Sequence, residues 1–306
     1  QCTVDPHEVD GPNKHLLVTH QLLRHTDKPI MSWPVATIGE NEKVFKMIEM
    51  VMGEGYLASH YFVTASVCAL SPLQYAQESA DTIIAYARAN QPVTVLTAPM
   101  TGVSTPISDI GALVAQNAEL LAGIVLAQLV QPGVPVIYGT ATYAADMRSG
   151  AFITGSPLSN LIDRAALQLA QSLYHMPTRT LAGNTDAKVP DIQAGYETMQ
   201  NYIQLLMGGT HMINECLGIL DGMMTVSYEK YIIDEEMLRR VGCMMRGLDT
   251  SEASFDMGVL LETPHMEPFL MHESTLAACS GQWQPDVACW SNYDTCLLYT
   301  SPSPRD

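Results

Sequence analysis

The sequence predicts an α/β fold, a (β/α)8 TIM-type barrel truncated at its N-terminus. Short β-branched runs alternate with longer amphipathic stretches in units of roughly 30 to 45 residues, the pattern of βα units on a parallel sheet. Neither GxGxxG after an early strand nor GxxxxGK[ST] occurs, so nucleotide-binding versions of such a sheet lack their phosphate loop. Six strands are legible up to Asn214, with one or two more to follow, whereas a barrel needs eight. The missing strands are expected at the start.

The expected strands are Pro29–Trp33, Tyr61–Ser66, Pro92–Thr97, Val134–Tyr138, Thr178–Leu181 and Thr210–Asn214. Helical patterns lie between them, at about 40–53, 72–89, 106–130, 157–174 and 190–207. Thr105-Pro106 and Ser156-Pro157 each set a hydroxyl cap before a proline suited to the first helical position. Pro132-Gly133 and Gly208-Gly209 close their helices. Within 106–130, Ile110, Leu113, Val114, Leu120, Leu121 and Ile124 recur at three-and-four spacing, as on a helix that lies on a sheet.

The 306 residues are 47% hydrophobic and 15% charged, enough apolar material for a sizeable core. Asp and Glu number 32 against 15 Lys and Arg, a net charge of −17. That balance argues against a nucleic-acid or anionic-membrane partner, and suits a cationic or neutral ligand. The longest apolar run, Leu120 to Ala127, is too short to cross a bilayer, and no secretory leader pattern opens the chain. Seven scattered cysteines without a CxxC pair read as reduced thiols, so a cytoplasmic location is expected. The chain starts at Gln1, and residues 296–306, CLLYTSPSPRD, match a translated sequencing adapter. Residues 1–295 are therefore expected to form a single partial barrel domain, cut at both ends.

A barrel of this kind places its ligand at the C-terminal ends of the strands. The loops there are expected at Ala65-Ser66, Ala98-Pro-Met-Thr-Gly102, Gly139 to Arg148, Ala182 to Lys188, and Glu215-Cys216. They offer small residues, hydroxyls, tyrosines and a few carboxylates, with no paired histidines, no metal-ligand spacing and no Ser/His or Cys/His arrangement. Asp146, Asp186 and Glu215 could compensate a cation, and Tyr138 and Tyr143 could present ring faces to it. The blander reading makes each carboxylate a cap or an ion-pair partner, and Tyr138 a core residue.

Several long strings then carry a resemblance. They include Pro99-Met-Thr-Gly-Val-Ser-Thr-Pro106, Asn117 to Gln128, Pro132-Gly-Val-Pro-Val-Ile-Tyr-Gly139, Asp146-Met-Arg-Ser-Gly150, Thr185-Asp-Ala-Lys188, Asp191 to Glu197 and Ser227-Tyr-Glu-Lys230. From about Asp5 to Trp290 the chain resembles the trimethylamine:corrinoid methyltransferase family, the MttB-like group. The resemblance implies a (β/α)8 barrel that moves methyl from a methylated amine to the Co(I) of a separate corrinoid protein, with no cofactor bound directly. Ordinary residues stand at Ala182-Gly183-Asn184, where that family's pyrrolysine falls, so the chain looks like the non-pyrrolysine branch. That branch is associated with quaternary amines such as glycine betaine.

The resemblance implies Asn184 and Asp186 as the catalytic pair beside the substrate, with Tyr138, Tyr143, Asp146 and Glu215 around the ammonium. Met100 and Gly102 are expected to face the corrinoid, and a homo-oligomer is expected. A trimethylamine-specific enzyme and a non-catalytic binder of methylated amines are the alternatives.

Overall fold

The structure is a computed structural model that describes residues 14–31 and 36–290. It separates into two compact units at Tyr231/Ile232, within the last long helix. The first unit runs α1 (Lys14–His25), β1 (Ile30–Met31), α2 (Ile38–Met52), α3 (Tyr56–Ser59), β2 (Val63–Cys68) and α4 (Gln77–Arg88). It continues with β3 (Val93–Thr97), β4 (Met100–Thr101), α5 (Asp109–Val130), β5 (Val136–Thr140), β6 (Tyr143–Ala145) and β7 (Phe152–Ile153). Then come α6 (Pro157–Gln168), β8 (Thr178–Leu181), α7 (Ile192–Leu206), β9 (Met212–Asn214), β10 (Ile219–Leu220), β11 (Thr225–Val226) and the start of α8 (Tyr228–Arg246).

Six parallel strands form one sheet in the order β1-β2-β3-β5-β8-β9. Each strand of the sheet lies beside the next one in chain order, as repeated right-handed βα units require. The sheet curls. Asn214 on β9 reaches the sulfur of Met31 on β1 at 3.9 Å, although these strands are the two edges of the sheet. The described fold is thus a parallel half-barrel of six strands; an eight-stranded closure is not among the described residues.

The two faces of the sheet differ in chemistry. Along β2, Val63, Ala65 and Val67 are buried while Thr64, Ser66 and Cys68 are half-buried, the period of two expected of a strand with one face in the core. The buried set joins Val93, Val95, Val136, Tyr138, Leu120 and Ile124 in the core between sheet and helices. Tyr138 belongs to this outer layer. Its hydroxyl donates to Asn117 on α5 at 2.9 Å, and Asn117 donates in turn to the Tyr174 hydroxyl. The opposite set lines the inside of the curl. α5 is long and apolar enough, by length and composition, to cross a membrane; here Ala112, Leu120, Gly123, Ile124 and Ala127 form its buried face.

The expected strands and helices are present, with shifts that have local causes. Pro157 opens α6 behind Ser156, as the Ser-Pro pair predicts, but the Ser156 hydroxyl makes no capping hydrogen bond. Thr105-Pro106 does not open α5, which starts at Asp109 behind Ser108. Thr105 is instead held in a tight loop, its N–H on the Met100 carbonyl and its carbonyl accepting from Gly102 N. Expected as one loop, residues 139–148 instead extend β5 to Thr140 and then form β6, which pairs with β4 and, antiparallel, with β7. Of the strand expected over Pro29–Trp33, residues 32–35 lie outside the described residues, as does the adapter-like segment 296–306.

The second unit holds the remainder of α8, α9 (Met257–Glu262), α10 (Glu273–Ala278) and short 3-10 turns. Inside it, Glu236 accepts the N–H groups of Asp286, Val287 and Ala288, and Arg240 lies 4.8 Å from the centre of the Trp283 ring.

Gly139 marks a close approach of β3 and β5. A Cβ there would sit 2.6 Å from Leu96 Cβ and 3.0 Å from the Val95 carbonyl. Gly139→Ala is expected to destabilise the protein by about 1–3 kcal/mol, the usual cost of overpacking, in urea unfolding. A variant as stable as wild type would show that the two strands can part without loss.

Candidate active site

The C-terminal ends of the strands are built from behind, by carboxylates on the helices. Thr97, at the end of β3, donates to Glu119 on α5, which also accepts from Ser71 Oγ at 2.7 Å and Leu73 N at 2.8 Å. Thr142, after β5, donates its hydroxyl to Asp163 on α6 at 2.6 Å and its N–H to the same carboxylate. Thr185, after β8, donates to Glu197 on α7 at 2.5 Å, and Asp186 N joins it at 2.8 Å. In three successive βα units, a threonine at or just beyond the strand end is thus tied to an acid on the next helix. All three acids are buried. A buried carboxylate is tolerated only when hydrogen bonds replace its lost water, so each acid demands a loop of fixed shape.

Asp163 shows the cost of this arrangement. Burial pushes its carboxyl up to about 6, against the opposing pull of the Thr142 and Gln116 hydrogen bonds. These acids were not legible as site residues, because each sits inside an amphipathic helix where an acid usually means solvent.

The structure places the expected site residues as follows. Asn184 is buried in the loop after β8; its carbonyl accepts from Asn201, and its side-chain oxygen finds no hydrogen-bond partner among the described residues. Asp186 engages the N–H groups of Thr154 and Gly155, so it fastens the end of β7 to the β8 loop. Gly183 lies so close to the β9 end that a Cβ would meet the Cys216 backbone at 2.3 Å. These three residues form one packed corner.

Tyr143 lies on the rim. Its buried ring packs on Phe152 with centroids 4.4 Å apart, and with Ala141 and Leu181 it forms a small apolar cluster. Burial raises its phenol above the ordinary range, the charge of Glu215 adds to the rise, and that of Arg179 opposes it. Glu215 is exposed, at the end of β9, with φ +49°. Beside the cluster an open hollow of about 510 Å³ is lined by Phe152, Asp186, Lys188, Asp221 and Met223. Met100 and Gly102 form the turn after β3, and Gly102 has φ +82° with Met147 and Ile107 against it. Two expected residues lie apart. Tyr138 faces the helices rather than the inside of the curl, since it occupies the other phase of the strand. Asp146 closes the β6–β7 turn, accepting from Arg148 N at 3.0 Å and Ser149 Oγ at 2.6 Å.

Arg179 was missed. It is the one charged residue in the six strands of the sheet, and it is buried on the inward face of β8. Its Nε donates to Asn214 Oδ1 on β9 at 3.1 Å. An arginine inside a Thr-Arg-Thr strand was legible as an anomaly in the sequence, because strands buried on both faces seldom carry charge.

Among the described residues, the inward-facing thiol of Cys68 is not set up as a nucleophile. Cys68, at the end of β2, has its thiol pushed up by burial, away from the reactive thiolate. What the rim offers is a ring, a carboxylate beside it, and buried amide and guanidinium groups below.

The family model described as "Trimethylamine methyltransferase (MTTB)" matches residues 1–296. The chain belongs to the trimethylamine methyltransferase family. Among curated relatives, it is 41% identical to "Proline betaine:corrinoid methyltransferase" of Eubacterium limosum over 187 residues, 61% of this chain and 38% of that protein. It is 32% identical to "Glycine betaine methyltransferase" of Desulfitobacterium hafniense over 292 residues, 95% of this chain and 61% of that one. It is 41% identical to "Trimethylamine methyltransferase MttB" of Methanosarcina barkeri over 187 residues, 61% of this chain and 37% of the other. The chain therefore spans less than two thirds of the length of each of these family members.

The Asp163 tie has a pH signature. Its carboxyl rises from about 3.8 in the unfolded chain to about 6 in the fold, so the folded state binds the extra proton and loses stability as pH rises through that window. Relative to wild type, Asp163→Asn is expected to gain roughly 2 kcal/mol between pH 4 and pH 7. Denaturant unfolding at both pH values checks this, and a gap that does not change with pH would contradict it.

Proposed function

We propose that the chain is the substrate-binding part of a corrinoid-dependent methyltransferase, which moves a methyl group from a quaternary amine such as glycine betaine to a cognate corrinoid protein. The observation that carries the reading is a buried aromatic residue, Tyr143, on which the charge of Glu215 acts. Such a pair recognises a cation. The proposed half-barrel completes a (β/α)8 barrel in the full-length protein.

Cobalt(I) of the partner's corrinoid would supply the nucleophile, and the residues described here fit that division of labour. Their own work is to bind, orient and dry the ammonium. Tyr143 presents its ring to the N-methyl groups, worth on the order of 1 kcal/mol or more when desolvated. Glu215 supplies the compensating charge. Asn184 offers an amide oxygen that burial leaves in want of a positive partner. Asp186 is a positioning residue, holding the β7 end against the loop that carries Asn184. Met100 and Gly102 form part of the rim past which the corrinoid protein approaches.

The leaving group favours a quaternary substrate. When the C–N bond breaks, its electron pair stays on nitrogen and releases a neutral tertiary amine, so no proton is required. Neutral trimethylamine would instead leave as an amide-like anion unless first protonated. The names of the betaine relatives support the quaternary reading, and that of the Methanosarcina relative keeps trimethylamine as the second.

The test is corrinoid methylation by the full-length gene product with its cognate corrinoid protein in the Co(I) state, followed by absorbance. Methylation with glycine betaine and none with trimethylamine is expected. A folded protein silent on every quaternary amine would overturn the proposal. Tyr143→Phe is expected to keep KM for the amine within about threefold, and Tyr143→Ala to raise it about tenfold, because the ring face and not the hydroxyl does the binding. Equal KM values for the two variants would remove Tyr143 from the site.

A further inference from the structure

The loop after β8 is gripped through its backbone. Gly183 N–H donates to the Glu215 carbonyl at 3.1 Å, and the Gly183 carbonyl accepts from Lys230 Nζ at 3.3 Å. The Thr185 hydroxyl and Asp186 N–H donate to Glu197 on α7. One turn further along α7, Asn201 donates its side-chain N–H to the Asn184 carbonyl at 2.7 Å. Asn201 is itself held from α6, where Asn160 donates to its side-chain oxygen at 2.6 Å. All three asparagines are buried, at 5% exposure or less.

This relay runs one way. A backbone carbonyl can only accept, so Asn201 must turn its NH2 toward Asn184 and its oxygen toward α6. That oxygen then needs a donor, which Asn160 supplies. The relay ends on the main chain of Asn184, so it fixes where the residue sits without using its side chain. The Asn184 side-chain oxygen has no hydrogen-bond partner among the described residues. Buried acceptors are nearly always paired in native proteins, and an exception calls for a use. If Asn160 and Asn201 served packing alone, apolar residues of the same size would do so at less cost in desolvation.

We infer that Asn160 and Asn201 are positioning residues, which fix the Asn184 amide oxygen beside the N-methyl groups of the substrate. The inference rests on the proposed methyltransferase reading. A quaternary ammonium spreads its charge over its methyl groups and has no N–H to donate. A carbonyl oxygen meets it through polarised C–H contacts, which are weak and need the oxygen at the right distance. Methyl transfer also requires one N–CH3 bond to lie along the line of attack. A displaced contact therefore costs turnover more than binding. Tyr143 and Glu215 still hold the cation when Asn184 moves.

The experiment is a double-variant cycle in the full-length protein, with glycine betaine and the Co(I) corrinoid partner. Asn184→Ala and Asn201→Ala are each expected to lower kcat about tenfold and to leave KM within about threefold. The double variant is expected to stay near the same tenfold loss, because Asn201 acts through Asn184; independent effects would multiply to about 100-fold. Asn160→Asp takes the place of Asn201→Ala in the cycle if the latter does not fold. Its ionised carboxylate accepts where the amide donated, so Asn201 turns over and sets its oxygen against the Asn184 carbonyl. The same loss in kcat, and the same failure to multiply, are expected. Losses that multiply would overturn the inference, as would a folded Asn201→Ala variant with kcat within about twofold of wild type. Methylation by wild type would in either case leave the methyltransferase reading standing. Silence of folded wild type on quaternary amines would instead remove that reading, and this inference with it.

Discussion

The buried tie between a helix carboxylate and the loop beyond the preceding strand is the constraint on which the rest of the mouth depends. Glu119, Asp163 and Glu197 each give up hydration to enter the layer between helices and sheet, and each recovers it from a threonine and from backbone or amide N–H groups. The exchange works in one geometry only, because an acid buried without its donors is far more costly than one left in water. The loops at the strand ends are therefore held by the scaffold, and a small ligand need not order them on arrival. Preorganisation of this kind suits an active site whose task is orientation.

This scaffold also decides where charge falls. The chain as a whole is strongly acidic, yet the sheet carries a single charged residue, the inward-facing Arg179. Its field reaches Cys68 and Tyr143, drawing both titrations down against the larger opposing effect of burial. Glu215 acts on Tyr143 from the other side. A surface rich in acid and an interior with a fixed cation are separate features.

Much of the fold was legible because its signals are local. β-branched runs such as Val93–Thr97 and Val63–Cys68 mark their strands, and Ser156-Pro157 sets a helix start that the structure keeps. Thr105-Pro106 carries the same local signal and fails, because Met100, Gly102 and Thr105 close a loop among themselves before the helix can begin. The β6–β7 hairpin escaped for a related reason: short strands of two or three residues are defined by their partners, not by their own composition. Of the candidate site residues, Asp186, Tyr143 and Glu215 were named from loop position, and Asn184 from the family resemblance. The phase of Tyr138 and the turn held by Asp146 were open until pairing and hydrogen bonds were seen.

Sequence by itself determined the alternation of strands and helices, the absence of a nucleotide loop, and the family through strings long enough to be specific. These depend on neighbouring residues, and neighbours are fixed by the covalent chain. Tertiary structure alone decided which face of each strand looks inward, which acids are buried, and which groups meet across the sheet. A strand's two faces differ by a single residue of register, so Tyr138 turns to the helices and Arg179 to the interior. Thr185 finds Glu197 and Arg179 finds Asn214 only after separate elements pack, since hydrogen bonds act over a few ångströms and not along sequence.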